Sequence, residues 1–148
     1  MLVSTPFDTY LNESEDWIGI AVDEVGNIYA LGGHTCIVLK FDPKGTYLSQ
    51  FGGRNRNHVS QDINDPPGAF PSMDPGYFYE PMAIDVDTYG RILVSDSTYN
   101  IQVFDVNEQY IDSFETPGIS RWITFDNSNN LYVASDLPEV IKLTVHAP

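Results

Sequence analysis

Imidazoles, carboxylates and one thiol are the groups in this sequence that could carry chemistry, and their spacing limits what they can do. The imidazoles are His34, His58 and His146. Catalytic zinc takes three protein ligands at about 2.0–2.2 Å and leaves a fourth position open. His34 and His58 fall in connecting segments that could share a face, while His146 belongs to the terminal tail. None occupies an internally repeated, strand-anchored position, so His34 and His58 alone remain as metal candidates and no cofactor is expected. Asp85-Val86-Asp87-Thr88-Tyr89-Gly90 opens like a calcium loop, with Asp96 in the twelfth place. Tyr89 stands where the fifth position needs an oxygen ligand and the twelfth requires Glu, so a divalent ion is not expected there either. The sequence has no Gly-rich phosphate loop and no Gly-x-Ser-x-Gly nucleophile turn. Cys36 stands alone and can form no internal disulfide.

Charge excludes further classes. Asp and Glu number 21 against 7 Lys and Arg, a formal net charge of −14 over 148 residues. Phosphate binding depends on Lys and Arg displacing counterions, so this field repels nucleic acid and anionic membrane surfaces. It favours cations and basic peptides instead. No apolar run approaches the ~18 residues a membrane span needs. The start, MLVSTPFDTY, lacks the cationic stretch followed by an apolar one that marks an export signal. With 42% hydrophobic residues, the chain can form the core of a single folded domain.

The elements that must position any site are written three times. IAVDEVGNIYAL (Ile20–Leu31), IDVDTYGRILVS (Ile84–Ser95) and ITFDNSNNLYVA (Ile123–Ala134) share an alternating apolar run that ends in Asp, then a polar turn, then a second alternating run. Gly26 and Gly90 fill the turn, and Asn129 replaces them in the third copy. Asn tolerates a left-handed backbone better than other non-Gly residues. CIVLKFDPKGTYLSQF (Cys36–Phe51) then matches NIQVFDVNEQYIDSF (Asn100–Phe114), and Val140–Val145 supplies part of a third copy. Period-two alternation with Val, Ile, Tyr and Phe enrichment predicts antiparallel strands, four per copy, A to D. Asp87 and Asp126 lie 39 residues apart, Asp23 and Asp87 64. The excess falls in Arg54–Tyr79, and units of about 40 residues are typical of propeller blades.

GIAVDEVGNIYA and EPMAIDVDTYGRILVSDSTYNIQVF, the latter preceded by PGYFYEP (Pro75–Pro81), resemble the NHL repeat. The resemblance implies an all-β fold, a β-propeller of four-stranded antiparallel NHL-like blades. About three blades would make half of a six-bladed ring. Blade 1 is expected over 17–53, a long inserted loop over 54–79, blade 2 over 80–115 and blade 3 over 119–146 without its outer strand. Phe7–Leu11 echoes strand D, which makes 1–13 an orphan outer strand. Such a half-ring exposes apolar sides and strand edges. It is expected either to close with a second copy, as a homodimer forming a six-bladed ring, or to be part of a longer propeller. Extracytoplasmic bacterial propellers resemble the chain most.

The same topology sorts the loops onto two faces. The tight A-to-B turns that hold Asp23, Asp87 and Asp126 suit a scaffold, with the carboxylates bonded to backbone rather than to a ligand. The opposite face carries the variable loops, and its composition resembles a recognition surface. The expected ligand-binding residues are Arg54, Arg56, His58, Tyr77 and Tyr79, joined by Asp96, Tyr99, Asp136 and Glu139. The alternative is that Phe70, Phe78 and Tyr77 anchor the insert on the blades and the rest of it is spacer. A non-catalytic binding or scaffold module for a protein, a peptide or a small ligand follows, with a cationic partner favoured. The alternative that the resemblance implies is a metal-dependent lyase or hydrolase, like the peptide-amidating lyase or the gluconolactonases, completed by dimerisation or by further blades.

Overall fold

A computed structural model describes residues 16–54 and 74–146, so residues 1–13, Arg56, His58 and Phe70 lie outside the described residues. Every regular element described is a strand. They are β1 (Trp17–Val22), β2 (Ile28–Gly32), β3 (Ile37–Phe41), β4 (Tyr47–Gly52), β5 (Pro81–Val86), β6 (Ile92–Asp96), β7 (Asn100–Phe104), β8 (Tyr110–Glu115), β9 (Ser120–Phe125), β10 (Asn130–Ser135) and β11 (Val140–Thr144). Each pairs antiparallel with its neighbour in sequence to give three sheets, β1-β2-β3-β4, β5-β6-β7-β8 and β9-β10-β11. Among the described residues no helix is long and apolar enough to cross a membrane.

The turns are built as the repeated Asp requires. Asp23 Oδ1 accepts N–H bonds from Val25 and Asn27 at 3.1 and 2.8 Å. Asp87 takes those of Tyr89 and Arg91 at 2.9 and 2.8 Å, and Asp126 those of Ser128 and Asn130, both at 2.9 Å. Asp42 and Asp105 do the same in the turns before β4 and β8. One carboxylate oxygen thus satisfies two backbone donors that the tight turn leaves unpaired. The backbone turns left-handed where the sequence places Gly26, Gly90 and Asn129, at φ values of 90°, 77° and 62°. In the turn before β8 the left-handed residue is Glu108 (φ 67°), where the first copy has Gly45.

Alternation then sorts side chains onto sheet faces. One core lies between the first and second sheets, with Tyr29, Leu31 and Val38 set against Ile84, Val86, Ile92, Val94 and Phe104. A second lies between the second and third, where Ala83, Leu93, Ile101 and Val103 meet Ile123, Leu131 and Val133. The middle sheet is therefore covered on both sides, and all five residues of β6 are buried. The first strands, β1, β5 and β9, are adjacent in that order. Polar ties cross each junction. Lys40 Nζ lies 3.1 Å from Glu108 Oε1, which also accepts from Ser49 Oγ at 2.8 Å. Ser95 Oγ donates to the Ser120 carbonyl at 2.7 Å, and the Phe125 N–H donates to Asp85 Oδ2 at 2.8 Å.

Asn129 serves two ends at once, because its Oδ1 also accepts the Thr88 N–H of the neighbouring sheet's turn at 2.9 Å. Asn129→Gly keeps the left-handed turn and loses that bond, for an expected loss of about 1 kcal/mol. Asn129→Ala also loses the local side-chain bonding by which Asn tolerates the left-handed backbone, so its loss should reach about 2–3 kcal/mol. Urea unfolding of both variants reads the difference, and equal losses would refute the backbone contribution.

Candidate functional site

The loop face is organised at the junction of the first and second sheets. Gly52 ends β4 and Gly53 follows it, with φ of 86° and 140°. A Cβ on Gly52 would stand 2.6 Å from the Phe78 ring, so only glycine lets that ring in. Phe78 is fully buried and lies edge-on to Phe104, with centroids 5.8 Å apart. It anchors one end of the inserted segment. The Phe78 N–H bonds the Gly53 carbonyl at 2.8 Å, and Arg54 and Phe78 form a parallel bridge. Residues 54 and 78 are thereby held side by side.

Tyr77 projects from this anchor and is 49% exposed. Its backbone is clamped by a residue not among the expected site residues. Gln102, 1% exposed in the middle of β7, donates Nε2–H to the Tyr77 carbonyl at 2.6 Å and accepts the Gly76 N–H at 2.8 Å. The Tyr77 ring lies against Gly53, where a Cβ would sit 3.4 Å from it. Beside it, the Arg54 guanidinium donates to the His34 carbonyl at 2.8 Å, and His34 Nδ1 lies 3.4 Å from Asp16 Oδ2. Arg54, His34 and Tyr77 thus share one exposed patch. A buried Gln inside a strand is the kind of signal that could have pointed to this clamp, although it needed knowledge of what faces it.

Asp96, expected among the ligand-binding residues, does not face solvent. It is completely buried at the end of β6. Oδ2 accepts the N–H groups of Tyr79 and Glu80 at 2.8 and 3.1 Å, and Oδ1 that of Thr98 at 3.1 Å. Its carboxylate fixes the chain that leads into β5 and holds Tyr79, itself half-buried, in place. Tyr99 is a left-handed turn residue (φ 62°) whose carbonyl accepts the Thr116 N–H at 2.8 Å. Asp136 and Glu139 belong to the third sheet's loop. Asp136 Oδ1 accepts the Ile119 N–H at 2.9 Å, and the exposed Glu139 bonds the Leu137 carbonyl through its own N–H. Among the described residues no three His, Cys, Asp or Glu side chains converge to hold a metal ion.

The opposite face is less uniform than its repeated turns suggest. A groove of about 320 Å³ runs between the first two A-to-B turns, lined among others by Asp23, Tyr29, Lys40, Asp87 and Tyr89. Asp87 and Lys40 in it are already paired, Asp87 Oδ2 with Arg91 Nε at 2.7 Å and Lys40 with Glu108. Asn27 Nδ2 donates to Asp23 Oδ2 at 2.8 Å. These carboxylates hold turns rather than present free ligands.

Burial raises the Asp96 carboxyl above its ordinary value of 3.8, with the backbone N–H bonds opposing the shift. A raised pKa means that the folded chain keeps this proton longer than the unfolded chain does. Stability from this group is therefore present below the ordinary value and is lost as pH rises through the raised one. The unfolding free energy of the wild type minus that of Asp96→Asn should fall across that window and level off above it. Urea unfolding at stepped pH measures the difference. A difference that rises with pH would contradict the burial account.

No protein-family description matches the chain, and no curated protein does. Solved structures do resemble it. One, assigned as an exported protein of Bacteroides fragilis, superposes with a TM-score of 0.61 at 12% identity, covering 90% of this chain and 37% of that one. A luciferin-regenerating enzyme superposes with a TM-score of 0.60 at 15% identity, covering 87% and 45%. A protein of unknown function from Bacteroides caccae gives 0.54 at 14% identity, covering 93% and 60%. This chain therefore spans about 37 to 60% of the length of these neighbours. At such identities the likeness is one of fold.

Proposed function

We propose that the three sheets are blades of an NHL-like β-propeller and that the loop face is a non-catalytic recognition surface for a protein or peptide. The observation that carries this reading is Tyr77, half-exposed beside Arg54 while its backbone is clamped by the buried Gln102. A rigid aromatic contributes a large amphipathic contact at little cost in conformational entropy, and Tyr and Arg dominate the energetics of many interfaces. The net charge of −14 selects a cationic partner. The row of stacked antiparallel sheets with adjacent first strands supports the propeller architecture. The exported neighbour supports an extracytoplasmic location.

The test is an immobilised peptide array graded in net charge and aromatic content, probed with the labelled chain. Binding should rise with peptide positive charge and weaken with added salt. Tyr77→Ala should lower affinity roughly thirtyfold, the effect of removing an anchor worth about 2 kcal/mol. A divalent ion retained one per chain after dialysis, with turnover of a lactone probe, would overturn the reading in favour of a metal-dependent hydrolase.

A further inference from the structure

Among the described residues the two outer sheets each leave one face uncovered, and strand register shows what those faces match. In the first sheet Ile20 pairs with Ala30, and Val22 with Ile28 and then Phe41. In the second, Ile84 pairs with Val94, and Val86 with Ile92 and then Phe104. The positions correspond one to one. On the second sheet they are at most 9% exposed, buried against the first sheet. On the first sheet the same face looks outward, with Ile20 at 68% and Val22 at 56% exposure. It forms an apolar groove of about 430 Å³ lined by Ile20, Ile28, Ala30 and Phe41 among others.

The far end of the chain carries the other half of the junction. The first sheet covers the second with a face on which Tyr29 pairs with Lys40 and Leu31 with Val38. Register places Tyr132 with Lys142, and Ala134 with Val140, at the same positions on the outward face of the third sheet. The match extends to polar detail. Tyr29 and Tyr132 each donate a hydroxyl to the turn carboxylate, Asp23 at 3.3 Å and Asp126 at 3.1 Å. Lys40 and Lys142 lie over the two tyrosine rings, at 5.2 and 5.4 Å from their centroids.

One position departs in a compensated way. Trp122 stands where the first sheet has Gly19 and the second Ala83, and it is 66% exposed. A Cβ on Gly19 would meet Ile84 at 3.0 Å, so this position faces the isoleucine of the next sheet. The corresponding isoleucine on the free face is Ile20, and its cross-strand neighbour is Ala30, where the other sheets have Val94 and Val133. The larger residue on one free face thus corresponds to the smaller one on the other.

We infer that the outer face of the third sheet docks onto the outer face of the first sheet of a second copy, with Trp122 seated in the groove beside Ile20 and over Ala30. Two such head-to-tail junctions, related by a two-fold axis, close a ring of six sheets. The junction rests on apolar contact, because Gly45 stands where Glu108 pairs with Lys40 and no equivalent ion pair forms. Two copies of charge −14 repel each other, so added salt strengthens the association.

Light scattering over a concentration series should give about 33 kDa, twice the 16.6 kDa chain. In Trp17→Phe, which leaves Trp122 as the one indole, emission should shift to the blue as concentration rises. Ile20→Arg and Trp122→Arg should each raise the dissociation constant at least about a hundredfold, as expected of a central aromatic anchor and its pocket. Both positions are exposed in the single chain, and circular dichroism should show both variants folded. Mixing the two should restore a pair, because one intact junction remains between them. A folded wild type that stays at 16.6 kDa at every concentration would overturn the proposal. So would pairing that Ile20→Arg abolishes and Trp122→Arg leaves intact, because that would mean the first sheets dock face to face.

Discussion

Each repeat depends on one carboxylate oxygen shared between two backbone N–H groups. The Asp that ends the first strand of a sheet closes the turn behind it, and the turn fixes which residue of the next strand lies opposite. In a pleated strand a slip of one residue would send every side chain to the other face. Asp23, Asp87 and Asp126 therefore do more than decorate a loop. They set the register that turns Ile84, Val86, Ile92 and Val94 toward one neighbour and Ala83 and Leu93 toward the other. The second oxygen is used as well, since Asn27, Arg91 and Asn130 each bond it through their side chains. For Asp126 these bonds lower the carboxyl pKa to about 2, the Asn130 side chain contributing most.

What was legible in the sequence was local or periodic. Alternation in IDVDTYGRILVS specifies two strands and their turn without any knowledge of the rest of the chain. Replacement of Gly26 and Gly90 by Asn129 marks a left-handed residue because few others adopt that backbone. The stacking order followed from the repeat itself. Long-range contacts were not legible. Gln102 reads as a polar residue on a strand, and nothing near it in sequence reveals that residues 76 and 77 will bond it. Asp96 reads as one rim acid among many because its three donors come from both sides of a sheet corner. Glu108 adopts a left-handed backbone that favours glycine, and its tie to Lys40 joins turn and strand across 68 positions of sequence.

The candidate site inherits its order from these long-range contacts. Loops of a stacked-sheet fold are displayed by the strands they join, and here the display is reinforced from below. Buried amide and carboxylate groups of the second sheet, Gln102 and Asp96, hold the segment from Gly76 to Glu80 by its main chain. The exposed side chain of Tyr77 is then free to differ without loosening the segment. On the opposite face Asp23, Asp87 and Asp126 are committed to their own turns. The division between a face that holds and a face that meets solvent is thus chemical as well as topological.

The pairing of Arg54 with Phe78 has a consequence for how the molecule could change. The Phe78 N–H and the Gly53 carbonyl meet at 2.8 Å, so positions 54 and 78, distant in sequence, are held at nearly one point. The entropy of closing a loop grows only with the logarithm of its length, about 0.6 kcal/mol for each doubling. A segment tied off in this way can be lengthened, shortened or replaced at small thermodynamic cost, while the sheets on either side keep their spacing. Changes of length or sequence can therefore accumulate between residues 54 and 78 without a matching change in the core.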